Sequence, residues 1–130
     1  MRVLLIEDDS ATAKSVELML KSESFNVYVT DLGEEGVDLG KLYDYDIILL
    51  DLNLPRKDGR EVLEEIKQDP ALRRIPVVVL TSSKADEDVA RTYDLHANAY
   101  ITKPVDFHQF VAILQQIEDF WFTVVRFPPP

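Results

Sequence analysis

The sequence predicts an α/β domain: a five-stranded parallel sheet, doubly wound, with helices on both faces. Three observations carry that expectation. Segments of strand character alternate with helical segments along the whole chain, and such alternation with right-handed crossovers gives a parallel sheet covered on both sides. The run Ile47-Ile48-Leu49-Leu50 is continuously apolar, as a strand buried on both faces requires. Finally, the strands that would border a crevice all end on polar groups: Glu7-Asp8, Asp51, Thr81 and Lys103. In open α/β sheets, ligands bind outside the carboxyl ends of the strands.

The elements follow in order. Residues 2–6 form a short apolar strand running into Glu7-Asp8-Asp9. Ser10 is expected to cap a helix whose Ala13, Val16, Met19 and Leu20 keep helical spacing. Residues 25–30 alternate and are rich in β-formers, so they read as a second strand. A weaker helix spans 33–42 with Val37, Leu39 and Leu42 as its apolar set. After the central strand, residues 60–68 form a clear helix with Val62, Leu63 and Ile66 inward. Pro70 and Pro76 punctuate the next loop, and residues 75–80 form a buried strand ending on Thr81-Ser82-Ser83. Residues 84–95 read as a polar helix and 99–101 as a short strand ending on Thr102-Lys103-Pro104. Asp106 caps a last helix carrying Phe107, Phe110, Val111, Leu114 and Ile117 on one face.

Length and composition bound the rest. At 130 residues and 46% hydrophobic content the chain is one domain with one real core. Residues 1–119 make the domain, and the apolar extension 120–130 belongs to it. No leader is visible and no apolar run approaches a membrane span. With no cysteine, disulfide and thiol chemistry are excluded. Together these give the expectation of a cytoplasmic protein without membrane contact. A net charge of −10 argues against direct nucleic-acid binding, which needs a basic footprint. The acidity is concentrated, with 12 acidic and 4 basic side chains in residues 1–54.

Singly, each polar strand end has a bland explanation as a cap, a loop acid or a solvated lysine. Jointly they make a site. Glu7, Asp8 and Asp51 within a few ångströms of one another repel by several kcal/mol at an effective dielectric of about 20. Such a cluster raises its own pKa values unless a cation neutralises it. Oxygen ligands without His or Cys suit a hard cation, Mg²⁺ above all. Lys103 adds a compact positive charge for an anion, and the Thr81 hydroxyl adds a hydrogen bond. This set suits phosphoryl transfer with Asp51 as nucleophile. His96 and His108 have no metal-site spacing, and the four glycines form no nucleotide-binding pattern.

Glu7-Asp8, Asp51, Thr81 and Lys103-Pro104 at these spacings resemble the receiver domain of two-component response regulators, over essentially the whole chain. The resemblance implies a flavodoxin-like sheet of strand order 2-1-3-4-5. It implies that Asp51 accepts a phosphoryl group from a phosphohistidine on a histidine kinase or phosphotransfer protein. Asp8, Asp51 and the backbone carbonyl of Asn53 would ligate Mg²⁺, with Glu7 acting through water. Thr81 and Lys103 would hold the phosphoryl oxygens. Tyr100 would be the switch aromatic that turns inward as Thr81 moves, and the Lys103–Pro104 bond would be cis. In finer detail, residues 1 to about 54 resemble the receivers of alphaproteobacterial cell-cycle transcription regulators. Residues 55–130 resemble phytochrome-linked response regulators, as in a hybrid joined near Leu54-Pro55.

Competing classes fall behind. A phosphohydrolase of the haloacid dehalogenase type also uses a nucleophilic Asp, but needs a second Asp two residues later, where this chain has Asn53, which cannot shuttle a proton. A flavodoxin-like cofactor carrier would set a flavin phosphate against three acids, and a degenerate scaffold would lack a core residue. The chain is therefore expected not to be an enzyme beyond its own phosphorylation and dephosphorylation. The stretch Phe120-Trp121-Phe122-Thr123-Val124-Val125-Arg126-Phe127 is more apolar than a helix end needs. With the helix 84–95, the strand 99–101 and the last helix, it is expected to form a homodimer interface, the competing reading being a tail folded back onto its own last helix.

Overall fold

The computed structural model describes residues 2–22, 24–31, 33–52, 59–92, 97, 99–103 and 106–119. Five strands and five helices alternate: β1 Arg2–Ile6, α1 Ser10–Ser22, β2 Asn26–Thr30, α2 Gly33–Leu42, β3 Ile47–Asp51, α3 Gly59–Gln68, β4 Val77–Thr81, α4 Lys84–Thr92, β5 Ala99–Thr102 and α5 Phe107–Asp119. All neighbouring strands are parallel, in the order β2-β1-β3-β4-β5. This is the doubly wound parallel sheet that the alternation predicted, in the flavodoxin-like strand order that the resemblance implied.

The period of two along each strand divides the core into two layers. Val3, Leu5, Ile47, Leu49, Val78, Leu80 and Ile101 face one side, where Val16 and Leu20 of α1 and Phe110 of α5 cover them. Leu4, Ile6, Ile48, Leu50, Val77 and Val79 face the other, under Val37 of α2 and Val62, Leu63 and Ile66 of α3. β3 is buried at every position, as its unbroken apolar run demanded.

Several local expectations need correction. α1 is capped by Asp9 rather than Ser10: Asp9 Oδ1 accepts the Ala11 N–H at 3.1 Å and Oδ2 accepts the Thr12 hydroxyl at 2.7 Å. Both residues are good caps; Asp9 stands one position earlier, and Ser10 becomes the first helical residue. Asp106 does cap α5, accepting the Gln109 N–H at 2.8 Å. β4 begins at Val77, because Pro76 has no N–H to give a ladder and the Ile75 N–H turns back to Leu72 O at 2.9 Å. Described residues of the polar helix end at Thr92, and Phe107, Val111, Leu114 and Ile117 lie outside those whose side chains are described.

The largest departure is in α2. Leu42, expected inward, is 72% exposed. At 100° per residue it lies about 140° from the buried Val37, and the inward stripe is completed by Gly36 and Gly40. These glycines let the helix lie close to the sheet: a Cβ at Gly36 would collide with Ile6 Cδ1 and Cγ1, whereas one at Gly40 would stand 3.1 Å from Leu72 Cδ2. Gly36→Val should therefore lower stability by about 2 kcal/mol in urea unfolding, since overpacking outweighs the gain in helix propensity. Gly40→Ala should be close to neutral, because the end of Leu72 can give way. Equal losses at the two positions would show that close approach is not what these glycines provide.

Candidate functional site

The site forms at the carboxyl edge of the sheet, where register and side-chain alternation bring distant residues together. Ile6 pairs with Leu50, which sets Glu7 beside Asp51. Asp51 pairs with Leu80, and Leu80 with Ile101, so the position after Thr102 delivers Lys103 to the same edge. The Lys103 N–H donates to Thr81 O at 2.8 Å and fastens the end of β5 to that of β4. Glu7, Asp51 and Lys103 share the alternation of the α1/α5 layer, while Thr81 shares that of the α2/α3 layer.

One carboxylate oxygen from each of Glu7, Asp8 and Asp51 lies within 4.8 Å of the others. Glu7 and Asp51 are buried, at 1% and 0% exposure, whereas Asp8 is exposed. The Lys103 ammonium donates to Glu7 Oε1 at 2.6 Å and stands 3.3 Å from Asp51 Oδ2. Burial pushes the Glu7 carboxyl up to about 7, with the Lys103 hydrogen bond opposing and the Asp51 charge adding to the rise. For Lys103, burial pulls the pKa down, but the Glu7 hydrogen bond and the charges of Asp51 and Glu7 leave it raised overall.

The acids fit a hard cation. Glu7 Oε2 is buried and receives no hydrogen bond from the described residues, and the donor set is oxygen alone. A divalent cation between the carboxylates would supply the positive charge that a single lysine provides only in part.

The other predicted positions stand further off. Thr81 is 1% exposed, and its hydroxyl makes long bonds, 3.4 Å each, to the carbonyls of Ser83 and Ile101. Tyr100 is half-buried against the α2/α3 layer. Asn53, Pro104 and the Lys103–Pro104 bond lie outside the described residues. The sequence does not announce the direct pairing of Lys103 with Glu7: the two are 96 positions apart, and only the register of four strands, β1, β3, β4 and β5, joins them.

This constellation on this fold can be set against known proteins. The family model of the response regulator receiver domain matches residues 3–115. The chain belongs to that family. As a receiver domain it is 56% identical over 117 residues to the cell cycle response regulator CtrA of Brucella ovis, covering 90% of this chain and 50% of that protein. It thus spans about half the length of the curated relatives it matches. Among solved structures it is similar to the Mn²⁺-bound form of response regulator Rcp1, with a TM-score of 0.73, 40% identity, and 98% and 99% of the two chains covered. It is also similar to the phosphorylated cyanobacterial phytochrome response regulator RcpA, with a TM-score of 0.72, 41% identity and 95% of each chain covered. Both likenesses read from the sequence are therefore present in this receiver domain. The CtrA match runs over 117 residues, past the Leu54-Pro55 junction where the sequence suggested a change of parentage.

Proposed function

We propose that this receiver domain takes a phosphoryl group onto Asp51 from a phosphohistidine of a histidine kinase or phosphotransfer protein, with Mg²⁺ bound. The observation that supports this most is the buried Asp51 carboxylate grouped with a second buried acid, the exposed Asp8 and a lysine at the carboxyl edge of the sheet. An Asp51 carboxylate oxygen attacks phosphorus, the P–N bond to the imidazole breaks, and its electron pair leaves on the ring nitrogen as the acyl phosphate forms. Mg²⁺ held by Asp8, Asp51 and the Asn53 carbonyl, with Glu7 through water, would neutralise the oxygens in transfer. Lys103, now paired with Glu7, would move onto the incoming phosphoryl oxygens. Thr81, whose present hydrogen bonds are long, would rotate towards them, and Tyr100 would follow inward. The chain catalyses no more than its own phosphorylation and dephosphorylation.

The readout in this proposal is the face of α4, β5 and α5, which would change its affinity for a second copy or another protein. Val89 of α4 is 55% exposed there. The tail expected to join this interface lies outside the described residues. No described helix is long and apolar enough to cross a membrane.

The test is incubation with acetyl phosphate, with and without Mg²⁺, followed by intact mass and peptide mapping. One phosphoryl group on the peptide containing Asp51, only when Mg²⁺ is present, is the expected result; modification elsewhere refutes the assignment. The metal is also expected to stabilise the fold. A hundredfold excess of Mg²⁺ over its dissociation constant should add about 2.7 kcal/mol, and most of that should vanish in Asp8→Asn. Asp8 is exposed, so its replacement leaves the core intact. An unchanged unfolding midpoint in millimolar Mg²⁺ would refute a formed metal site.

A further inference from the structure

β2 is an outer strand of the sheet, and its sequence carries none of the usual guards of a free edge. Its register with β1 is unbroken over all five residues, so no bulge turns the edge aside. Residues 24–30 contain neither proline nor charge, in a chain where 29% of residues are charged. Thr30 is the single buried position of β2. Tyr28, 40% exposed, lies on the α2/α3 side with its β1 neighbour Leu4. Val29, 39% exposed, lies on the α1/α5 side with Leu5. The backbone is open as well. Thr30 O accepts the Glu7 N–H towards β1, so alternation along β2 turns the N–H and C=O of Val27 and Val29 outward. These groups meet no partner among the described residues.

We propose that two copies of this chain join through β2, as antiparallel edge strands about a two-fold axis at Tyr28. The occupant follows from symmetry and charge. A two-fold contact sets each residue against its mate, and a residue on the axis against itself. The strand Asn26-Val27-Tyr28-Val29-Thr30 reads nearly alike in both directions about Tyr28. On the α1/α5 side, Val27 of one copy then stands opposite Val29 of the other, and each outward N–H finds an outward C=O. On the α2/α3 side the two Tyr28 side chains meet in a non-hydrogen-bonded pair, where opposed residues stand closest. Tyr43 stacks on Tyr28 at 6.0 Å between ring centres, and the Arg2 guanidinium lies over the same ring at 5.9 Å. The ring is thus held in place before a second copy arrives. Charge narrows the choice further. Copies of a chain of net charge −10 repel each other, and like charges set opposite one another destabilise a sheet. The uncharged run 24–30 lets two copies meet without that cost. Beyond it, the exposed Lys21 lies at the entry of β2 and the exposed Asp31 at its exit, so antiparallel pairing carries each towards the opposite charge of the other copy. The contact is at the edge of the sheet away from α4, β5 and α5, and it does not rest on phosphoryl transfer. Because one short strand carries it, its dissociation constant is expected to be on the order of tens of micromolar.

Sedimentation equilibrium of the full chain, unphosphorylated and without metal, should show monomer passing to dimer across the micromolar range. Tyr28→Lys replaces an exposed side chain and sets a charge on the axis against itself, and it should weaken the dimer about tenfold or more. Val89→Asp, on the exposed side of α4, should leave the dimer unchanged. The chain has no cysteine, so Tyr28→Cys places a lone thiol on the axis. Mild oxidation of a concentrated sample should link two copies there, since residues paired across the axis stand at disulfide distance. Leu18→Cys, exposed on α1, should link far more slowly. A full chain that stays monomeric overturns the proposal and leaves the edge to a strand of another protein. A dimer that Tyr28→Lys leaves intact, or that Val89→Asp dissolves, overturns it as well. Oxidation that links Leu18→Cys as readily as Tyr28→Cys overturns the placement of the axis and with it the proposal.

Discussion

Asp51→Asn is expected to abolish phosphoryl uptake and, in metal-free buffer, to make the fold more stable. The first effect is complete, because an amide has no carboxylate oxygen to attack phosphorus. The second follows from the packing. Asp51 is wholly buried and its charge adds to the rise of the Glu7 pKa to about 7. Removing that charge leaves Glu7 and Lys103 as a simple pair at 2.6 Å, at the loss of the weaker contact between Lys103 and Asp51 at 3.3 Å. The net gain should be about 1–2 kcal/mol in urea unfolding, what is left when relief of the repulsion between two close acids outweighs the loss of one longer attraction of similar size. Millimolar Mg²⁺ should narrow or reverse it, since only the wild type keeps the full ligand set. A destabilised variant without metal would mean that Asp51 is held by more favourable contacts than the repulsion it suffers.

Lys103→Met should be the most damaging change at the site, and its cost should depend on pH. Removing one partner of a buried pair typically costs about 3–5 kcal/mol, and here one ammonium serves two buried acids. Glu7 has an escape through protonation. Its folded pKa already lies near 7 against 4.5 ordinarily, and the Lys103 hydrogen bond is what restrains it from rising further. A carboxyl whose folded pKa is raised is best tolerated below its unfolded pKa, and it drains stability as pH climbs from there through the folded value. The deficit of Lys103→Met should therefore be about 3 kcal/mol at pH 8 and less than half of that at pH 5.5. Unfolding both proteins in urea at the two pH values measures it. A deficit that does not vary with pH would show that the acids are not what Lys103 stabilises. Mg²⁺ at pH 8 should restore much of the loss, because a second source of positive charge enters the same pocket.

Much of the fold could be read from local pattern. The apolar run 47–50 needed no partner to announce a strand buried on both faces, and the alternation of elements left one family of topologies. The polar strand ends marked the site, because topology forces those ends to one edge of the sheet. What escaped was non-local or ambiguous. Leu42 looked inward only while glycines were discounted as packing residues; the buried stripe of α2 runs through Gly36 and Gly40. Asp9 and Ser10 are adjacent and equally good caps, so helix geometry alone could separate them. The hydrogen bond between Lys103 and Glu7 depends on the pairing of four strands, and no window of sequence contains it.

The alternation that sorts the site also governs which length changes the gene can absorb. Glu7, Asp51 and Lys103 face one layer only because each is an even number of residues from an apolar neighbour of that layer, such as Leu5, Leu49 and Ile101. A single-residue deletion within β1, β3 or β5 would turn the charged group to the opposite layer and the strand's apolar set with it. A two-residue insertion would keep the facing but carry the group about 6.5 Å along the strand, out of reach of the others. Insertions and deletions in lineages that keep this chemistry should thus be confined to the connections, and the three strands should hold their lengths even where their residues drift.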